Sequence, residues 1–62
     1  MLIRQIERFL ARTNMAPTRF GRLVAGDPRL VGDIRNGREP RAALARRIEH
    51  FMNTYRETHH AA

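Results

Sequence analysis

The groups in this chain with chemistry to offer are guanidinium forks. Its 12 basic residues are all arginine, against 6 acidic residues, for a formal charge of +6. Each fork matches phosphate oxygens or the O6/N7 edge of guanine. A GC-rich coding sequence accounts for part of the preference for arginine over lysine, but not for the net charge. A small domain this basic points to a polyanion, and nucleic acid is the commonest one. Catalysis has little to work with. There is no cysteine, no HExxH pair and no Walker-type phosphate loop. Asp27 and Asp33 stand six apart, on different faces of one helix, so they do not form a two-metal site. His59 and His60 read as a polar tail rather than a metal pair or tag remnant. The chain is expected not to be an enzyme, and to need neither metal nor cofactor.

The densest information lies from Gly21 to Gly37, GRLVAGDPRLVGDIRNG. It encodes two short helices joined by a tight turn, a device for placing one helix in the major groove of DNA. With Val31 and Ile34 facing inward, the outward residues are Pro28, Arg29, Gly32, Asp33 and Asn36, the expected base-reading group. Arg29 lies where recognition helices reach base edges, and its fork suits guanine. Asp33 can accept from a cytosine amine or pair with Arg29 one turn away; the pairing is preferred, because phosphates repel a lone carboxylate. Asn36 bonds DNA or caps the helix end. Gly32 costs about 1 kcal/mol in a helix relative to alanine. Either it lets the backbone approach a base pair, or it packs tightly against a neighbouring helix. Phosphate contacts are expected from Thr18 and Arg19, at a helix N-terminus that suits an anion, and from Arg35, Arg38 and Arg41. Arg4, Arg8, Arg12, Arg46 and Arg47 read as solvated helix faces.

These residues need a scaffold, and the apolar spacing predicts four helices, over residues 2–14, 17–25, 28–36 and 41–56. The first carries Leu2, Ile6, Phe9 and Leu10 on one stripe and stops at Asn14, which tolerates the left-handed conformation. Pro17 is pre-organised for the first turn of the second, whose buried face is read as Phe20, Leu23 and Val24. Asp27 and Pro28 open the third, with Asp27 accepting from free N–H groups; Leu30 backs Ile34, and Gly37 provides the exit. The fourth presents Leu44, Ile48, Phe51, Met52 and Tyr55 as one face. Gly21 is small where the second and third helices approach, and a bulky side chain there would hold them apart. No β pattern appears. The fold class is therefore all-α: one compact four-helix domain over residues 1–57, followed by a disordered tail, residues 58–62. A chain this short buries only about 60% of its unfolded surface, so packing must be efficient or a second subunit must help.

Pro17 to Asn36 resembles the helix-turn-helix of the phage-repressor and Cro-like family, the xenobiotic-response-element type of bacterial regulators. Phe20, Gly21, Val24, Ala25, Val31 and Ile34 match its structural positions, and DIRNGREPR resembles its exit into a basic connector. The helix order from Ile6 to Met52 fits as well. The chain departs from the pattern in placing Ala25 where the turn usually has glycine, and Asp-Pro where the recognition helix often starts with serine or threonine. The resemblance implies sequence-specific binding of double-stranded DNA by a small transcriptional regulator, prophage-like or repressing its own operon. The alternatives are a DNA-binding component of a phage-like packaging or recombination machine, and an antitoxin-like module that binds a partner protein. Relatives bind as homodimers on two half-sites; Phe51, Met52 and Tyr55 are the candidate dimer seam, unless all three cap the core of one subunit. No segment approaches the roughly 20 apolar residues of a membrane span, and Arg4, Glu7 and Arg8 break up any signal peptide. The expected location is cytoplasmic, on the bacterial nucleoid when bound.

Overall fold

The computed structural model describes residues 1–55, and these are all-α, with no strand among them. Four helices follow one another: α1 (Leu2–Thr13), α2 (Pro17–Ala25), α3 (Leu30–Arg35) and α4 (Ala42–Thr54). The predicted 58–62 tail, the His59–His60 pair and the last residue predicted for the fourth helix lie outside the described residues.

Each boundary has a local cause. The Thr13 hydroxyl donates to the Phe9 carbonyl at 2.8 Å, and Asn14 then turns left-handed at φ 58°. Ala16 is extended, and Pro17 opens α2 where a missing N–H is not felt. Gly26 ends α2 at φ 66°, and its N–H donates to Arg22 O at 2.9 Å. α3 starts two residues later than its sequence suggests. Asp27 holds a turn instead: its carbonyl accepts from Leu30 N–H at 3.1 Å, and its carboxylate accepts from Arg29 N–H at 2.9 Å. Arg29, at φ −92° and ψ 0°, has the dihedrals of the third residue in a type I turn. Regular helix bonds begin only with Asp33 N–H to Arg29 O. At the far end Gly37 N–H donates to Ile34 O and Arg38 N–H to Asp33 O, both at 3.0 Å. That is the paired C-terminal closure that a left-handed glycine permits, and Gly37 has φ 106°. α4 runs between Arg41 and Tyr55, which flank it as caps.

α2 packs on α3 and α4, and α1 also packs on α3 and α4. Ile6, Phe20, Leu30, Val31 and Ile48 are completely buried, with Phe9, Leu10, Met15, Val24 and Ile34 nearly so. Each such side chain stabilises the fold by about 1.5–3 kcal/mol. Leu23 is the exception to the predicted core: it is 50% exposed, because Phe20 and Val24 already occupy the face of α2 turned inward. Met15 takes a core place from the α1–α2 connection.

Phe51, Met52 and Tyr55 each pack on the subunit's own core. Phe51 lies 5.8 Å from Phe9 and 5.5 Å from Phe20, ring centre to ring centre, and Tyr55 lies 5.3 Å from Phe9. These are edge-on contacts of the favourable kind. Met52 packs on the same cluster, and all three are half-buried within one subunit.

Candidate nucleic-acid interface

The approach of α2 to the α3 entry turn positions everything else. A Cβ built on Gly21 would lie 2.1 Å from the Asp27 carbonyl oxygen, so only glycine fits. Gly21 O also accepts from Asp27 N–H at 3.1 Å. Backbone thus meets backbone, and α3 is held with Leu30, Val31 and Ile34 inward. Its other side is left to solvent: Pro28, Arg29, Gly32 and Asn36 are exposed, and Asp33 is half-exposed. Nothing lies within 4 Å of a Cβ on Gly32. Tight packing against a neighbouring helix is therefore not the reason for this glycine.

The expected pairing of Asp33 with Arg29 is replaced by another. The closure at Gly37 folds the connector back over α3, and Arg38 Nη1 donates to Asp33 Oδ2 at 3.3 Å. The same nitrogen is 3.7 Å from Asp27 Oδ2. Among the described residues Arg29 has no ion-pair partner, and it projects from the entry turn, not from the first turn of the helix.

Arg35 departs further from its expected role. Its Nε donates to Glu7 Oε2 at 2.6 Å and its Nη2 to Glu7 Oε1 at 2.9 Å. This two-pronged contact ties α3 to α1 and occupies the fork that a phosphate would need. The hydrogen bond, aided by the guanidinium charge, holds the Glu7 carboxyl below its ordinary value. The same bond raises Arg35 above its own ordinary value.

Thr18 and Arg19 sit exposed in the first turn of α2, where Ala16 offers no side-chain cap. The N–H groups there are free to face an anion. Arg41 is exposed at the start of α4. Arg22 was not among the sequence candidates, yet it is exposed on α2. Its spacing of three from Arg19 and four from Thr18 places it on their face. Arg19, Arg22, Arg29 and Arg41 carry no ion pair among the described residues, whereas Arg35 and Arg38 do. Arg47 is also engaged: its Nη2 donates to the Val24 carbonyl at 2.9 Å, linking α4 to α2.

No helix among the described residues is long and apolar enough to cross a membrane. Comparison with protein-family models, with characterised proteins and with solved structures finds no match to this chain.

Proposed function

We propose that this chain binds double-stranded DNA and reads its sequence, with α3 and its entry turn lying in the major groove. The observation that carries the reading is the bare outer side of α3, held out by the Gly21–Asp27 backbone contact. That side offers a guanidinium at Arg29 with no ion pair among the described residues, an open backbone at Gly32 and an amide at Asn36. A helical glycine costs stability and no packing within the subunit requires this one, so the close approach of a base-pair edge is the reason for its place here. Arg29 takes guanine O6 and N7. Thr18, Arg19 and Arg22 on α2, with Arg41, take phosphates on either side. Arg35 serves the fold instead, and Arg38 first neutralises Asp33 and Asp27 beside the groove.

On this reading the chain is a transcriptional regulator of the type its sequence resembles, acting through the DNA it occupies and not through catalysis. One short helix reads few base pairs, so two copies on half-sites about 34–36 Å apart provide the rest of the affinity.

Fluorescence anisotropy tests this with labelled duplexes at about 0.15 M salt. One duplex carries the DNA upstream of the protein's own gene, and the other has the same bases scrambled. A preference of about 10³-fold or more supports sequence reading by a regulator of its own gene. Equal binding reduces the claim to non-specific DNA binding, and no binding to either duplex removes it.

A further inference from the structure

Beside α2, α4 presents a second face that stays open to solvent. Ala43, Arg47 and Phe51 recur along it at four-residue spacing, and with Leu23 and Val24 of α2 they line an open groove of about 460 Å³. Leu23 and Met1 are the large apolar side chains most exposed to water among the described residues. The Arg47–Val24 hydrogen bond fixes the two helices that form the groove. Arg46 and His50 also line it and make no ion pair among the described residues. No carboxylate lines it, because Glu49 turns to the cleft on the opposite side of α4, beside Gln5 and Arg8. No residue of α3 lines it either.

We propose that this groove docks an acidic, amphipathic segment of a partner protein. Apolar side chains of the segment cover Leu23 and Phe51, and its carboxylates meet Arg46 and the His50 ring. The charge decides among occupants. A second copy of this chain seated face to face would set Arg46 and Arg47 against their own equivalents, without a carboxylate to offset them. A nucleic acid would satisfy the guanidinium groups but leave Leu23 in water. An acidic segment with apolar residues three or four apart does both. Because the groove excludes α3, the partner can be held while α3 is engaged elsewhere. The proposal is independent of what α3 contacts.

The test selects a displayed library of short random peptides against the immobilised full chain, then measures the enriched peptides by anisotropy. Enriched peptides should combine Asp or Glu with apolar residues three or four apart. Their affinity should fall about 10-fold or more in Leu23→Ser and in Arg46→Glu, the size of a hot-spot contact. Replacing their carboxylates by lysine should abolish binding. Leu23 and Arg46 are on the surface, so both variants should keep their helix content by circular dichroism. Should Leu23→Ser unfold, Ala43→Glu obstructs the same groove from an exposed position and must show the same loss. Peptides without carboxylates, or affinities unchanged by these substitutions, would overturn the proposal. So would enrichment no better than that on a Leu23→Ser/Arg46→Glu double variant. A 10-fold loss of duplex binding in Leu23→Ser would assign the face to nucleic acid.

Discussion

Gly21 and Gly32 are both helical glycines, and replacing each by alanine should move stability in opposite directions. At Gly21 the new methyl carbon would sit 2.1 Å from the Asp27 carbonyl oxygen and 3.2 Å from Leu30 Cβ. An ordinary close contact between carbon and a carbonyl oxygen is about 3.3 Å, so the entry turn must retreat by roughly 1 Å. Overpacking of this kind costs about 1–3 kcal/mol. Weakening the bond from Asp27 N–H to Gly21 O adds about 1 kcal/mol. The better helix propensity of alanine offsets about 1 kcal/mol, leaving a net loss of roughly 1–3 kcal/mol. A domain of this length has about 3–9 kcal/mol in total, so the loss is a large fraction. Gly32 has nothing within 4 Å, and alanine there should gain about 0.5–1 kcal/mol. Thermal unfolding followed by circular dichroism separates the two. Tm should fall on the order of 10 °C for Gly21→Ala and rise by a few degrees, about 2–8 °C, for Gly32→Ala. A Gly21→Ala protein that melts at or above the wild type would refute the backbone contact as the device that sets α3. A Gly32→Ala protein that loses stability would refute the open space around that position.

Arg29→Ala should weaken specific duplex binding by about 1–3 kcal/mol and relax one base position; a uniform loss on every sequence would make Arg29 a phosphate contact. Arg41→Ala should lower the salt slope of duplex binding by about 1, whereas Arg35→Ala should leave the slope unchanged and lower Tm. If the two exchange roles in a salt titration, the assignment of Arg35 to the fold is wrong. The Glu7 carboxyl is held low by Arg35, so its contribution to stability is present above the unfolded value and is lost as pH falls through the lowered folded value. The Tm difference between wild type and Glu7→Gln should therefore be full at neutral pH and vanish in acid; a difference that persists in acid would mean that the ionised pair is not its source.

The helices were legible because their signals are local. Asn14, Pro17, Gly26 and Gly37 mark ends by their own backbone preferences, and the stripe of Ile6, Phe9 and Leu10 declares a buried face. The entry to α3 was misplaced by two residues because Asp27-Pro28 suits a helix start and a type I turn equally well; the choice depends on the Gly21 contact. Leu23 read as core because its spacing from Phe20 fits a stripe, but nothing local states how wide the available core is. Met15 gave no signal, since a residue between helices has no period to join. The partners of Arg35 and Arg38 were hidden for another reason. Glu7 lies 28 residues from Arg35, and Arg38 reaches Asp33 only after the chain has reversed at Gly37. Exposure of Arg29, Gly32 and Asn36 followed from burying Val31 and Ile34, which is why that part of the surface was the part read correctly.

The ring cluster of Phe9, Phe20, Phe51 and Tyr55 also gives the molecule an optical label of its own. The chain has one tyrosine and no tryptophan, so its tyrosine emission comes from Tyr55 alone. That phenol sits edge-on to Phe9, 5.3 Å away, where the end of α4 closes over α1. Its signal follows the docking of α4, whereas the far-ultraviolet signal follows all four helices together. Coincidence of the two on heating would mark a single cooperative transition. An earlier change in the emission would mean that α4 peels away while α2 and α3 keep their pose, with no dye or mutation needed to see it.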